Sequence, residues 1–233
     1  GENEFSRKKV TINAQSETSV TVIEVLSTEN NLAVETELNV KENALVRLMQ
    51  VQKSGEKSLV YNKVTSFCDE SGRVELLQVF PGKGDIYSDS LIELTGDKSS
   101  FKSDIGYLGQ REQTVDINLV VNHYGKSTES EINASGALKD SSSKIFRGTI
   151  DFKTGSSDSV GNEKESVLML GDGVINKTVP LILCAEENVV GNPGATIGEL
   201  DDETLFYFES RGIGKAEAEN ILARAAIERL ARE

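Results

Sequence analysis

The feature that most constrains the fold is a series of short segments in which apolar and polar residues alternate, up to about residue 185. In Leu32–Val40 the alternation is almost strict, which is typical of a strand with one face on a core and the other in water. Further segments of this kind, rich in Val, Ile and Thr, are Ser19–Leu26, Ala44–Val51, Val74–Phe80, Thr114–Asn122 and Lys144–Phe152. No helical pattern separates them, which excludes a βαβ fold and leaves a sandwich, a barrel or a β-helix. No repeat of fixed period is visible, so these patterns alone favour a sandwich.

The pattern changes near residue 200, where two helices are predicted. Asp201–Arg211 begins with acidic residues and is followed by Gly212, which are the start and stop signals of a helix. A second helix is predicted at about 215–232, a segment rich in Ala, Glu, Arg, Ile and Leu. Its apolar arc is wider than the ~100° stripe that a surface helix normally buries. We therefore expect part of this arc to bind a partner.

Composition narrows the possible partners. The 25 Lys and Arg residues against 38 Asp and Glu residues give a net charge of −13. Nucleic-acid binding needs clustered basic residues, and anionic membrane surfaces attract them, so neither partner is expected. No apolar run approaches the ~18 residues that a membrane span requires.

Cysteine and histidine are too scarce for most metal and hydrolase sites. Cys68 and Cys184 lie far apart and form no CxxC motif, which favours free thiols in a reducing, cytoplasmic compartment. A Ser-His-Asp hydrolase would depend entirely on His123, the single histidine, which we interpret as structural at a strand end. Cys184 ends an apolar strand and is predicted to be buried, whereas Cys68 is predicted to be more exposed.

The C-terminal part of the sequence resembles the signature of a known family. The segment Asn192–Ile213 reads NPGATIGELDDETLFYFESRGI. It resembles the signature of the SufB/SufD family of iron–sulfur cluster assembly scaffolds, about H-G-A-T-x-G-x-[IL]-D-x-[ED]-x-[LI]-F-Y-L-x-S-R-G-I. Val121–Gly125, Phe146–Ile150 and Glu165–Gly171 are similar to the central region of the family. The resemblance is closer to SufD than to SufB, because SufB carries a cysteine near the position of Glu165.

The resemblance implies a fold and a function. The family fold is a right-handed parallel β-helix with a small C-terminal helical domain, so we expect a β-helix over residues 1–190 and a helical segment over 191–233. The implied function is that of a non-enzymatic scaffold subunit in a SufBCD-type iron–sulfur cluster assembly complex. The alternative is a carbohydrate-active or adhesive β-helix protein. Polysaccharide lyases of this fold need a dense acidic calcium site beside a basic residue, and the sequence shows no such cluster.

The resemblance also implies partners and their contact residues. A SufC-like ABC-type ATPase is expected on the C-terminal helices, and a SufB-like paralogue or a second copy on the β-helix. The residues expected to bind partners are Phe206, Phe208, Ile221, Leu222, Ile227 and Leu230.

Metal binding is not expected in the isolated chain. Pro193 stands where the family pattern has a histidine, and proline cannot ligate a metal. His123 and Cys184 are weak alternative ligands. No cofactor is therefore predicted for the isolated chain, and an iron–sulfur cluster or iron is expected at most at an interface within a complex.

Overall fold

The computed structural model describes residues 5–228, which form fourteen strands followed by two helices. The strands are β1 (Ser6–Ala14), β2 (Ser19–Thr28), β3 (Leu32–Val40), β4 (Leu45–Ser54), β5 (Leu59–Cys68), β6 (Arg73–Phe80), β7 (Asp85–Leu94), β8 (Ser100–Gly109), β9 (Thr114–His123), β10 (Glu129–Lys139), β11 (Ser143–Phe152), β12 (Ser159–Leu170), β13 (Ile175–Cys184) and β14 (Val189–Glu199). The helices are α1 (Asp202–Ser210) and α2 (Lys215–Glu228).

The strands wind into a parallel β-helix. The odd-numbered strands form one seven-stranded sheet and the even-numbered strands form another, each in chain order. Pairing within both sheets is parallel, so each coil contributes one strand to either sheet. The predicted fold class, a parallel β-helix with C-terminal helices, is confirmed. The last strand reaches Glu199, beyond the boundary predicted at residue 190.

Coil length varies along the chain. Ser6 pairs with Leu32 in the first coils, 26 positions further on, whereas Ser143 pairs with Ile175, 32 positions further on. The corners between strands absorb this difference, because the paired strands stay in register. A varying coil length explains why the sequence shows no fixed period.

The core lies between the two sheets. In β3, Val34 and Leu38 are fully buried, whereas Glu35 and Glu37 point away from the core. Similar alternation in the other strands brings large side chains such as Phe80, Phe146 and Phe152 into the interior. The predicted division into a core face and a water face is confirmed for Leu32–Val40.

The two helices follow the last coil. Asp201 caps α1 by accepting a hydrogen bond from the Thr204 backbone N–H at 2.7 Å, and Gly212 follows with a φ of 79°. Helix α2 packs on the outer face of the even-numbered sheet, where Ala223 contacts a small cluster with Ala137 and Leu170. The part of the second helix predicted beyond residue 228 lies outside the described residues. No helix among residues 5–228 is both long and apolar enough to span a membrane.

Candidate functional site

The residues singled out from the sequence do not meet in one place. Pro193 lies on β14 and Cys184 ends β13, so they belong to different sheets. His123 ends β9 and shares a register column with Phe152 and Cys184 on the next two odd-numbered strands. The ring of Phe152 therefore separates the histidine from the cysteine, at a ring-centroid distance of 4.7 Å from His123.

His123 is held inside the core by hydroxyl groups. Its Nδ1 lies 2.7 Å from Thr128 Oγ1 and its Nε2 lies 2.9 Å from Ser130 Oγ, with no exposed surface on the residue. Burial lowers the pKa of His123 to about 4, so the ring is neutral at physiological pH. The two hydroxyls occupy both ring nitrogens, and a substrate has no access to them. This arrangement suits a structural histidine rather than a catalytic one.

The burial predicted from the sequence for the two cysteines, with Cys184 buried and Cys68 more exposed, is wrong for both residues. Cys68 is fully buried in the core, and burial raises the pKa of its thiol to about 12. Cys184 is exposed, because β13 is the last strand of its sheet and no further coil within residues 5–228 covers it. The pattern of apolar neighbours indicated an inward-facing residue, but it could not show which coil ends the solenoid.

A buried polar cluster in the last coils was missed by the sequence analysis. Glu165, near which the family resemblance places a SufB cysteine, accepts a hydrogen bond from Lys144 Nζ at 2.5 Å and one from Tyr107 Oη at 2.8 Å. Thr178 Oγ1 donates to its second oxygen at 2.5 Å. Lys144 and Glu165 are both fully buried, and Lys144 also lies over the ring of Phe146 at 5.8 Å.

The buried Glu165 carboxylate shifts the pKa values of its two neighbours Lys144 and Tyr107. Burial lowers the pKa of Lys144, and the adjacent Glu165 carboxylate works against this shift. Burial raises the pKa of Tyr107 well above its usual value, and the charge of Glu165 adds to the effect. The Glu165 carboxylate thus accepts hydrogen bonds from three donors within the protein. It is not free to bind a metal ion.

Glu163, two residues before Glu165 on the same face of β12, has no hydrogen-bond partner among residues 5–228. The residue is 2% exposed, and both carboxylate oxygens are buried. Burial and the charge of Glu165 together raise the pKa of Glu163 to about 7. A Cβ atom at Gly148 would lie 2.3 Å from Glu163 Oε1, so the glycine makes room for this carboxyl.

Pro193 is the register partner of Glu163 on β14 and is exposed. Pro180 lies on β13 and Pro193 on β14. These are the terminal strands of their sheets, where proline is tolerated because an edge strand has one unpaired side. The family histidine position is therefore at the open edge of the solenoid. Within residues 5–228, no group of three His, Cys, Asp or Glu side chains is arranged to hold a metal ion.

The open edge is also apolar. Four outward-facing residues of β13 are between 43% and 53% exposed. They are Ile175, Val179, Leu181 and Leu183. In the neighbouring strand β11 the corresponding outward positions include Arg147 and Asp151, which register with Val179 and Leu183. At these two positions charged side chains on β11 are followed by apolar side chains on β13, whereas Lys177 follows Ile145 in the same row. A largely apolar outer row is typical of a surface that binds another protein.

The helices expose a second apolar surface. Phe206 is 71% exposed and Tyr207 is 55% exposed on α1, and Ile221 is 41% exposed on α2. Phe208 and Leu222 are half-buried. The side chain of Ile227 and the whole of Leu230 lie outside the described part of the structure. Of the six predicted contact residues, Phe206 and Ile221 are thus the most accessible among those described.

Comparison with known proteins identifies the family. The model of the family described as "SUF system FeS cluster assembly, SufBD core domain" matches residues 1–226. The chain is 33% identical over 139 residues to the "Iron-sulfur cluster assembly protein SufD" of Bacillus subtilis (strain 168), covering 60% of this chain and 32% of that protein. It is 27% identical over 213 residues to an "Iron-sulfur cluster assembly SufBD family protein" of Staphylococcus epidermidis, covering 90% of this chain and 45% of the relative.

The chain spans less than half the length of these two relatives. A further similar protein, from Galdieria sulphuraria, is 27% identical over 169 residues, covering 71% of this chain and 76% of that relative. The parallel β-helix, the two C-terminal helices and the match over residues 1–226 agree with one another. The chain belongs to the SufBD core domain family of the SUF iron–sulfur cluster assembly system.

Proposed function

We propose that this protein is a non-enzymatic, SufD-like scaffold subunit in cytoplasmic iron–sulfur cluster assembly. The observation that carries the proposal is the pair of apolar surfaces at the C-terminal end, on β13 and on the helices, in a chain that matches the SufBD core domain. Both surfaces suit protein partners. The neutral, enclosed His123 and the fully bonded Glu165 offer no accessible group for acid–base catalysis.

Iron or a cluster would be cargo that the chain handles together with a partner. Glu165, which is hydrogen-bonded to Lys144, lies near the position of the SufB cysteine in the family resemblance, and Pro193 stands where the family pattern has a histidine. Neither position supplies the thiolate or imidazole ligand that iron–sulfur chemistry prefers. We therefore propose that the isolated chain carries no stoichiometric iron, and that any cluster would need ligands from another subunit.

The proposed partner of the helices is a SufC-like ABC-type ATPase. Phe206 and Ile221 offer exposed apolar side chains on neighbouring helices, and α1 and α2 contact each other. Burying such a side chain stabilises an interface by about 1.5–3 kcal/mol. The docking surface is therefore proposed to include both helices rather than α2 alone.

The test is the combined change Phe206→Asp and Ile221→Asp. We expect the cognate ATPase to be lost in co-purification, because two buried apolar contacts correspond to about two to four decades of affinity. A matched control places the same charges on Ile23 and Val25, which are 66% and 60% exposed on β2 at the other end of the solenoid. If the helix variant retains the ATPase as well as the control does, and circular dichroism shows an intact strand signal for both, the helices are not the docking surface.

A further inference from the structure

A cavity of about 740 Å³ lies on the outer face of the odd-numbered sheet, in the first coils and thus far from the C-terminal helices. It is lined by Phe5, Arg7, Lys8, Lys9, Ala33, Glu35, Leu59, Tyr61 and Tyr87. Its volume is in the range of small-molecule sites, and its lining combines apolar and aromatic side chains with a few charged groups. Nothing in the proposed scaffold function uses this cavity.

The cavity exists because one position of a side-chain ladder is almost empty. Arg7, Ala33, Tyr61 and Tyr87 are register neighbours on four successive strands of the sheet, β1, β3, β5 and β7. Neighbouring strands of a sheet lie about 4.8 Å apart. Three of these positions carry a planar or aromatic group, whereas Ala33 contributes a single methyl group. A gap therefore remains above Ala33, between the guanidinium of Arg7 and the ring of Tyr61.

This gap has the dimensions that a planar ring needs. A ring placed over Ala33 would lie about one strand spacing, ~4.8 Å, from the Tyr61 ring on one side and from Arg7 on the other. Aromatic rings stack at centroid distances of about 4.5–7 Å, and cations interact with rings within about 6 Å. Phe5 and Leu59 add apolar surface beside the same position.

The charges around the gap favour an anion. Arg7 and Lys9 are the cations of the lining that lie on the outer face of β1, in a chain with a net charge of −13. Lys8 lies between them, but its register neighbour is the buried Val34, so its side chain is on the opposite face of the sheet. Glu35 is the acidic residue of the lining, and it has Lys9 and Lys63 as register neighbours on either side. These two lysines offset its charge, which leaves Arg7 to attract a ligand.

We propose that this cavity binds a planar aromatic molecule that carries an anionic group, such as a nucleoside monophosphate. The aromatic part fills the empty position over Ala33 between Arg7 and Tyr61, and the anionic part lies against Arg7. The ring and the anion are both required, because the first uses the stacking surfaces and the second uses the charge of Arg7.

The test is calorimetric titration of the full chain with three probes: adenosine 5′-monophosphate, adenosine and inorganic phosphate. We expect the nucleotide to bind and each of its two parts to bind at least about tenfold more weakly, since each lacks one of the two kinds of contact. Absence of nucleotide binding at millimolar concentration would overturn the proposal. Phosphate binding as tight as nucleotide binding would also overturn it, because the site would then be a basic patch without stacking.

Single substitutions test whether the nucleotide binds at the gap over Ala33. Ala33→Leu fills the gap without changing any charge and should abolish nucleotide binding, and Arg7→Gln should weaken it by about tenfold or more. Arg47→Gln removes the same charge from the other sheet and should leave binding unchanged. Wild-type affinity in Ala33→Leu would contradict the assignment. If that variant fails to fold, Tyr61→Ser removes the stacking partner without filling the gap, and unchanged affinity in Tyr61→Ser would contradict it equally.

Discussion

The carboxyl group of Glu163 is buried in the last coils without a hydrogen-bond partner, and this has a consequence for stability. Burial and the neighbouring charge of Glu165 raise the pKa of Glu163 from 4.5 to about 7 in the folded protein. The folded state therefore holds this proton more tightly than the unfolded chain does. Between about pH 4.5 and pH 7 the folded state binds more protons than the unfolded state, so the contribution of Glu163 to stability falls as the pH rises through this window.

Glu163→Gln should remove this pH dependence. The amide keeps the shape of the carboxyl and cannot ionise, so the variant should be more stable than the wild type above pH 7, by up to about 3 kcal/mol, and similar to it near pH 4.5. Urea unfolding at several pH values measures the difference. Glu129→Gln, at an exposed position of β10, is the matched control and should follow the wild-type curve. A Glu163→Gln curve parallel to the wild-type curve at all pH values would show that Glu163 is not protonated in the folded state.

The buried cluster shows how far single residues can be predicted from the sequence. Lys144 has the same strand parity as Phe146, Ile150 and Phe152, which are all buried, so the alternation already placed a lysine on the core face. The alternation therefore predicts that Lys144 is buried, but it does not indicate which acidic residue pairs with it. Glu165 follows Lys144 by 21 residues and lies on the opposite sheet, so only the coil geometry brings the two together.

At the scale of elements, strands were easier to predict than the way they stack. The predicted strand Leu32–Val40 has the observed bounds, because its alternation is almost strict and turn residues flank it. The choice of a β-helix over a sandwich required the family resemblance. Alternating strands have one buried face in both folds, and the coil length varies too much to leave a period in the sequence.

The corners that connect the strands use an unusual backbone conformation. Within the described residues, eight residues other than glycine have a positive φ between 53° and 62°. They are Glu17, Asn43, Ser71, Lys98, Arg111, Ser127, Asp140 and Asp158. Several of them also link one coil to the next: the Lys98 N–H, for example, donates to the Lys126 carbonyl at 2.8 Å. The left-handed conformation thus directs a backbone N–H toward the next coil.

A β-branched residue at such a corner should destabilise the protein. Lys98 has a φ of 58°, a region in which a β-branched side chain clashes with its own backbone. We expect Lys98→Val to lower the free energy of unfolding by about 1–2 kcal/mol. Lys102→Val makes the same replacement at an outward-facing position within β8, where valine is favourable, and should have little effect. Equal urea midpoints for the two variants would mean that the corner conformation is not under this constraint.

At the scale of the whole molecule, the two ends of the solenoid offer different surfaces. The outer face of the first odd-numbered strand, β1, carries the basic residues Arg7 and Lys9, whereas the last odd-numbered strand, β13, presents a largely apolar row on its outer face. The strands β13 and β14 also end their sheets, so each has backbone groups on one side without a strand partner in the described part of the chain. An apolar row next to an open strand edge can accept another protein by packing and by strand pairing.

The family resemblance predicts pairing of the β-helix with a SufB-like paralogue or a second copy, and we propose that this pairing occurs at this end. Val179→Lys combined with Leu181→Lys places two charges in the middle of the row, where both side chains are more than 40% exposed in the single chain. Because burying two such apolar side chains is worth about 3–6 kcal/mol, we expect the association to weaken by at least two decades.

Light scattering coupled to size-exclusion chromatography measures the mass of the wild-type chain alone and mixed with the paralogue. The control variant carries Ile23→Lys and Val25→Lys, which adds the same two charges to exposed apolar positions of β2 at the opposite end. Loss of the paired species in the β13 variant, with its retention in the control, places the interface at the C-terminal edge. A wild-type chain that stays monomeric under both conditions would refute the pairing itself, and equal loss in both variants would mean that added charge, rather than the position of the row, disrupts it.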